Sequence, residues 1–478
     1  MRAARAIAGV VLSVTFAAGC SSADGTDGKN KPGGPFGEGV AAKPLAELSV
    51  PAQYDGSKGW DETLGWVPDS VSTLPFTDVP RADLVAMLYG TPDGYTVQAK
   101  AASDGKVGWS SAPWKIPTPI GAGGGEVSSD EEVEIPDLLG FEQDGKGYVI
   151  AWAHGMSGKD ALHEGTEVVR LAVFPADAKG SGVKPMREMD VPVSAKPHEV
   201  RVSAEGGRVL VAYGERGPYP RSAISVDVLR VSVSPYKEPD KLLPQCAQVT
   251  MCNGSRVMAI SPDGPLVSMG RLGQGFGMPG RWFSDTVRPD GAQSKSGFFG
   301  EWNGRVYGVA AGRLLASWDM EGKNGASRPD SWSVHDVRTG AVLARMECAY
   351  SDSATITDRS PDQPTIASPS GRYLAAGPVA FDLERKQGIC LEGDGNRKTI
   401  NLASIRDDGT AFGVVANDDA PSAKAVYAQV DLNSASGDAK VLDAGVDIPV
   451  LTNVGGGSGL FLARDDNMHL RVSLRRGH

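Results

Sequence analysis

Few residues in this chain have types and spacing suited to chemistry. Five cysteines and six histidines are present. A zinc site needs closely spaced Cys or His pairs. No C-x-x-C occurs, and no two of His154, His163, His198, His335, His469 and His478 have i, i+4 spacing. Nucleophile motifs also fail. His154-Gly-Met-Ser-Gly and Gly455-Gly-Gly-Ser-Gly miss the G-x-S-x-G spacing. Ser103, Ser181 and Ser234 each stand three residues before a Lys, but no S-D-N or K-T-G element accompanies them. Residues 155–159 lack the glycine spacing of a phosphate loop, and Asp160 stands where its Ser or Thr would be. No metal or other cofactor is expected.

Carboxylates and aromatics leave more room. Asp130, Glu131, Glu132 and Glu134 could attract a cation, but a calcium loop needs a bend with Gly inside it, and this run has none. Paired carboxylates for glycoside hydrolysis lie on different strands and cannot be found by spacing. All nine Trp lie between Trp60 and Trp332. Aromatics on loops make effective contact surface, whereas aromatics in strands pack the core. The candidate binding stretch is 271–291, RLGQGFGMPGRWFSDTVRPDG, with Arg281, Trp282 and Phe283. It is expected to be a long inter-strand loop, and loops of that length usually cover or bind something. Residues 213–221, with Tyr219, are a second candidate.

The elements that would position such residues are short strands. The 478 residues include 61 Gly and 32 Pro, and no long tract has helical spacing. Residues 366–393, IASPSGRYLAAGPVAFDLERKQGICLEG, read as three strands and two tight turns. Similar units recur at 82–114, 136–192, 197–243, 254–291, 300–348, 402–442 and 447–475. Each holds a Gly turn, an apolar strand, a loop, and an alternating strand that often ends near Asp. Strands at a period of about 45–60 residues, about four per unit, indicate an all-β chain built as a single β-propeller of seven or eight four-stranded blades. One blade cannot bury both faces, whereas a ring buries them all. The last unit lacks an obvious fourth strand, and residues 45–51 are expected to supply it. The recurring Asp and Gly have a structural reason, since Asp bonds its own turn backbone and Gly accepts a positive φ.

The N-terminus carries a targeting signal: Arg2 and Arg5, a mostly apolar run over 7–18, then Ala17-Ala18-Gly19-Cys20. The run is too short to span a bilayer and suits a signal peptide. Its end resembles the bacterial lipobox, although Ala17 stands where Leu is more usual. The resemblance implies lipidation, as with palmitate, at Cys20 and residence on the outer face of the cell membrane. The expected division is a signal peptide over 1–19, the lipidated Cys and a flexible Ser/Gly/Pro tether over 20–47, and the propeller over 48–478. Without Cys20, four cysteines remain, an even number suited to an oxidising compartment. Three pairings are open. The expected one is Cys246–Cys252, closing a small loop, and Cys348–Cys390, clipping neighbouring units. The formal charge of −10 makes nucleic acid a poor partner.

Short stretches resemble known propeller repeats. Residues 334–345, VHDVRTGAVLAR, and 99–109, AKAASDGKVGW, are similar to PQQ-like repeats. SPDGPLVSMG and SPSGRYLAAG resemble the strands of TolB-like propellers. A WD40 reading fails, because Trp318-Asp319 has no matching Gly-His. The vicinal Cys pair used by several PQQ dehydrogenase classes is missing. Together with the lipobox, these stretches make the chain resemble a Gram-positive propeller lipoprotein of no assigned activity. The expected function is a monomeric binding or scaffold module at the cell surface, with a protein or other extracytoplasmic ligand as partner. The alternative is a glycosidase-like extracellular hydrolase with its site in the central channel.

Overall fold

The structure is a computed structural model. It describes residues 45–478 apart from 69–70, 72, 121–134, 196–198, 206, 215–221, 250–251, 253, 271–273, 297–300, 321–329, 349–364, 394–395 and 417–424. Cys20, the acidic run at 130–134 and Tyr219 lie outside the described residues.

The alternating segments form antiparallel strands that group into eight four-stranded blades. The first strands of the blades are Phe76–Asp78, Asp137–Gln143, Arg201–Glu205, Arg256–Ser261, Arg305–Ala310, Thr365–Ala367, Ile400–Ile405 and Leu451–Val454. From blade 1 to blade 8, each first strand packs against the first strand of the next blade, so these strands are innermost. Approach there is close: a Cβ on Gly140 of blade 2 would run into the Asp78 carbonyl of blade 1.

A core fills each of the eight gaps between blades. Val97, Ala99 and Trp109 of blade 1 meet Val149, Ala172 and Phe174 of blade 2. Tyr54 and Phe461 of blade 8 meet Phe412 of blade 7. Phe76 and Met87 of blade 1 meet Leu460, Val472 and Leu474 of blade 8, which closes the ring. Fully burying one such side chain contributes about 1.5–3 kcal/mol, so stability resides between blades rather than within them. The chain is therefore an eight-bladed β-propeller.

The closing strand is not 45–51. Blade 8 is completed by Tyr54–Leu64, which pairs antiparallel with Leu470–Gly477. Residues 45–47, assigned above to the tether, are docked on it. The Ala46 amide donates to Asp61 (2.7 Å) and its carbonyl accepts from Arg475 (3.0 Å).

Two further ties join blades at their outer edges. Gly180–Val183 of blade 2 adds in parallel to Val107–Ser111 of blade 1. Val342–Cys348 of blade 5 touches Gln387–Cys390 of blade 6 through a parallel bridge and the Cys348–Cys390 disulfide. The Cys246–Cys252 disulfide is also formed. It lies between blades 3 and 4, so both expected pairings are present.

Strand-ending aspartates build the turns. Asp227 accepts from the Arg230 amide, Asp336 from those of Arg338 and Thr339, Asp382 from those of Glu384 and Arg385, and Asp431 from that of Asn433. Their role in these turns is structural, as their position in the repeat implied.

Blade 5 buries a polar chain. Trp318 Nε1 donates to Ser333 Oγ (2.6 Å), Ser333 Oγ lies 2.7 Å from His335 Nε2, and His335 Nδ1 lies 2.9 Å from the Gly340 carbonyl. A carbonyl only accepts, so Nδ1 carries the proton and Nε2 accepts from Ser333. Burial lowers the His335 pKa to about 4, with the Gly340 carbonyl opposing. The unfolded chain, at the ordinary value of 6.5, thus binds this proton first as pH falls. Stability attributable to His335 is intact above about pH 6.5 and is lost progressively down to about pH 4. From pH 7 to pH 5 the loss is about 2 kcal/mol. Urea unfolding at the two pH values should show this loss in the wild type and its removal in His335→Leu. An equal pH response in both proteins would contradict the assignment.

Candidate functional site

The turns after the first strand of every blade, and after the third strand of blades 1 to 7, share one face of the ring, here termed the turn face. The longer connections after the second and fourth strands lie opposite. The turn face is stitched from blade to blade by ion pairs and by hydrogen bonds to carboxylates. Arg81 of blade 1 pairs with Glu142 of blade 2 (2.7 Å). Gln143 Nε2 of blade 2 donates to Asp227 of blade 3 (3.3 Å). The Gly312 amide of blade 5 donates to Glu205 of blade 3. Asp263 of blade 4 takes Arg281 (2.8 Å) and Arg338 of blade 5 (2.6 Å).

A cleft of about 490 Å³ opens in this face over blades 2, 3 and 4. Blade 2 contributes the turn residues Glu142, Gln143 and Asp144. Blade 3 contributes Gly207, Arg208, Asp227 and Arg230, and blade 4 contributes Pro262. The volume is within the range of small-ligand sites, but the lining is unusual for one, with Pro262 its one apolar side chain. Asp227 is held between opposing effects. Burial pushes its pKa up, but the Arg230 amide, Gln143 and the Arg230 guanidinium together hold it below the ordinary carboxylate value. Its partners are Arg230 Nη1 (2.8 Å) and Gln143 Nε2 (3.3 Å), so it is ionised and already compensated.

Local sequence explains the placement. Asp144 adopts φ 52° and Gly145 φ 75°, so Asp-Gly makes the tight turn that ends blade 2's first strand. Gly207, at φ 80°, does the same for blade 3 and lies beside Gln143 of blade 2.

The expected aromatic surface is absent at 282–283. Residues 276–278 and 282–283 are the last two strands of blade 4, not a long loop. Trp282 is 9% exposed and donates through Nε1 to the Val337 carbonyl (3.2 Å). Phe283 is 4% exposed and meets Trp302 edge-on with ring centroids 5.2 Å apart. Both pack the core, so neither presents a contact face. Of the three expected residues, Arg281 alone is exposed, on the turn face beside Asp263. Across the chain, eight of the nine Trp are buried and Trp66 is half-buried. The cleft residues carried no local signature, being turn and strand-end positions spread over three blades. Aligning the repeats by their Gly turns would have set Gly145, Gly207 and Gly264 against one another and so brought the three turns together.

The innermost strands carry carboxyls as well. Desolvation raises Asp78, pushes Asp137 up to about 6 against the Leu138 amide, and raises Glu205 against the Gly312 amide and Arg313. Asp78 ends its strand at the level of Gly140. Asp137 begins its own strand three residues away, roughly 10 Å along it. Among the described residues, the one group able to gather three metal ligands is Asp240, Cys246 and Cys252. Its sulfurs are bonded to each other. No described helix is long and apolar enough to cross a membrane.

Comparison of the sequence with protein-family models and with curated proteins finds no match. Solved structures similar in shape include the β-propeller domain of Myceliophteria thermophila Cps50 (Swd1), 11% identical, covering 85% of this chain and 96% of that one at TM-score 0.36. The Dos1 propeller is 9% identical over 87% of this chain and 94% of its own, at TM-score 0.38. Porphyromonas gingivalis dipeptidyl peptidase 4 is 8% identical over 85% of this chain and 58% of its own, at TM-score 0.37. The ring assigned above rests on its own sheets and inter-blade cores, not on these neighbours.

Proposed function

We propose that this chain is an exported, lipid-anchored β-propeller that binds its partner or ligand through the turn face. The cleft over blades 2–4 carries this reading. A rigid ring presents there polar side chains from blades 2 and 3 beside Pro262 of blade 4, while the aromatics expected to form a surface elsewhere fill the core. The signal-like N-terminus, Cys20 and the Ser/Gly/Pro stretch after it support anchoring on the outer side of the cell membrane, and two disulfides accord with an oxidising compartment. The resemblance to PQQ-like and TolB-like repeats supports a place among propeller lipoproteins. The chain acts as a monomer, with a protein or other extracytoplasmic ligand as its partner.

Two measurements test this. Metabolic palmitate labelling is expected to mark the wild type and to vanish in Cys20→Ala; persistent label would refute anchoring at Cys20. In-cell crosslinking with a lysine-reactive reagent and mass spectrometry is expected to join partners to Lys106, Lys146 and Lys386, all exposed on the turn face. Crosslinks confined to Lys159, in the opposite connections, would refute the binding face.

A further inference from the structure

Resting on that reading, we propose that the cleft over blades 2–4 binds a small zwitterion, a molecule with an ammonium at one end and a carboxylate at the other, such as a short peptide with free termini.

The inference follows from what remains after internal pairing. Glu142 is neutralised by Arg81 at 2.7 Å, and Asp227 by Arg230 at 2.8 Å. Among the described residues, Asp144 and Arg208 have no ion pair and no side-chain hydrogen bond. Asp144 is exposed at the tip of blade 2's turn, and Arg208 is half-buried at the start of blade 3's second strand. One free anion and one free cation therefore line the same cleft. A ligand of single charge would leave one of them uncompensated, whereas a dipolar ligand meets both.

The second observation is independent of charge. Gln143 is 6% exposed and lines the cleft, and its Oε1 has no hydrogen-bond partner. The assignment of its oxygen is fixed by Nε2, which donates to Asp227. A buried acceptor left unpaired costs about 1–3 kcal/mol. Asp227 cannot relieve it, because an ionised carboxylate only accepts. Oε1 is closed to solvent as it stands, so a ligand's ammonium or first amide supplies the missing N–H donor once a small shift of the Gln143 side chain opens it to the cleft. The cleft thus asks for donors beside Asp144 and Gln143 and for an acceptor anion beside Arg208. With Pro262 as its one apolar side chain, the lining disfavours an apolar or aromatic ligand.

The probe is trialanine with both termini free, titrated calorimetrically into the purified full-length protein beside its N-acetyl and C-amide forms. The free peptide is expected to bind, and each cap to weaken binding about tenfold or more, the scale of one charge-assisted contact. Asp144→Asn should no longer distinguish the acetylated form, and Arg208→Gln should no longer distinguish the amidated form. Gln143→Leu should weaken the free peptide and narrow its advantage over the acetylated form, while its advantage over the amidated form, which rests on Arg208, persists. Asn tolerates the positive φ at position 144, so the first variant keeps the turn. Binding of all three peptides alike, or no binding of the free peptide at millimolar concentration, overturns the proposal. If that occurs while crosslinks still map to the turn face, the zwitterion falls and the binding face stands.

Discussion

Replacing Asp61 with Ala is expected to destabilise the protein by about 3–5 kcal/mol, because it leaves a buried arginine without its counter-charge. Arg475 is 0% exposed. Its Nη2 meets Asp61 Oδ1 at 2.9 Å and the Ala46 carbonyl at 3.0 Å, while Nη1 meets the Trp60 carbonyl at 3.2 Å. These contacts join the closing strand Tyr54–Leu64 to Leu470–Gly477 and pin residue 46 across both. The carbonyls would still accept hydrogen bonds in Asp61→Ala, but they cannot neutralise the charge. The double variant Asp61→Leu with Arg475→Met removes charge and partner together and should recover most of the loss. Urea unfolding of the three proteins checks this. A loss below about 1 kcal/mol for the single variant, the usual worth of an exposed pair, would show that the closure does not depend on it.

The second large effect concerns the outer clip between blades 5 and 6. Cys348 and Cys390 are 42 residues apart, and Cys246 and Cys252 are 6 apart. In the chain-entropy account, losing the longer link costs about 4 kcal/mol and losing the shorter about 2.5. Cys348→Ser with Cys390→Ser should therefore lower the urea midpoint more than the corresponding change at 246 and 252. The longer link also holds two outer strands that otherwise meet through a single parallel bridge at Arg345 and Gln387. Equal losses for the two double variants would contradict both the loop-length argument and the clip.

Much of the fold was legible because each blade repeats its own grammar. Residues 366–393 read as strands and turns, and they form Tyr373–Ala376, Val379–Asp382 and Gln387–Cys390 as expected. What stayed hidden was non-local. The closing strand, YDGSKGWDETL, has four internal charges and two glycines and no clean alternation. Its partner lies some 410 residues away in sequence, so only the ring selects it. Residues 276–283 read as loop because Gly and Pro interrupt them, yet burial between blades 4 and 5 makes short strands of them. The cleft was least legible. Gln143, Asp144, Arg208 and Arg230 are ordinary turn residues singly, and their meaning comes from three turns meeting on one face.

The binding face is tested most directly by a photo-reactive benzoylphenylalanine placed in living cells at position 144, on the turn face, or at position 162, in the connection on the opposite face. Leu162 is 89% exposed, so both positions reach solvent. Irradiation is expected to give a discrete higher-mass adduct from 144 and none from 162. An adduct from 162 with none from 144 would contradict the turn face as the place where this propeller binds.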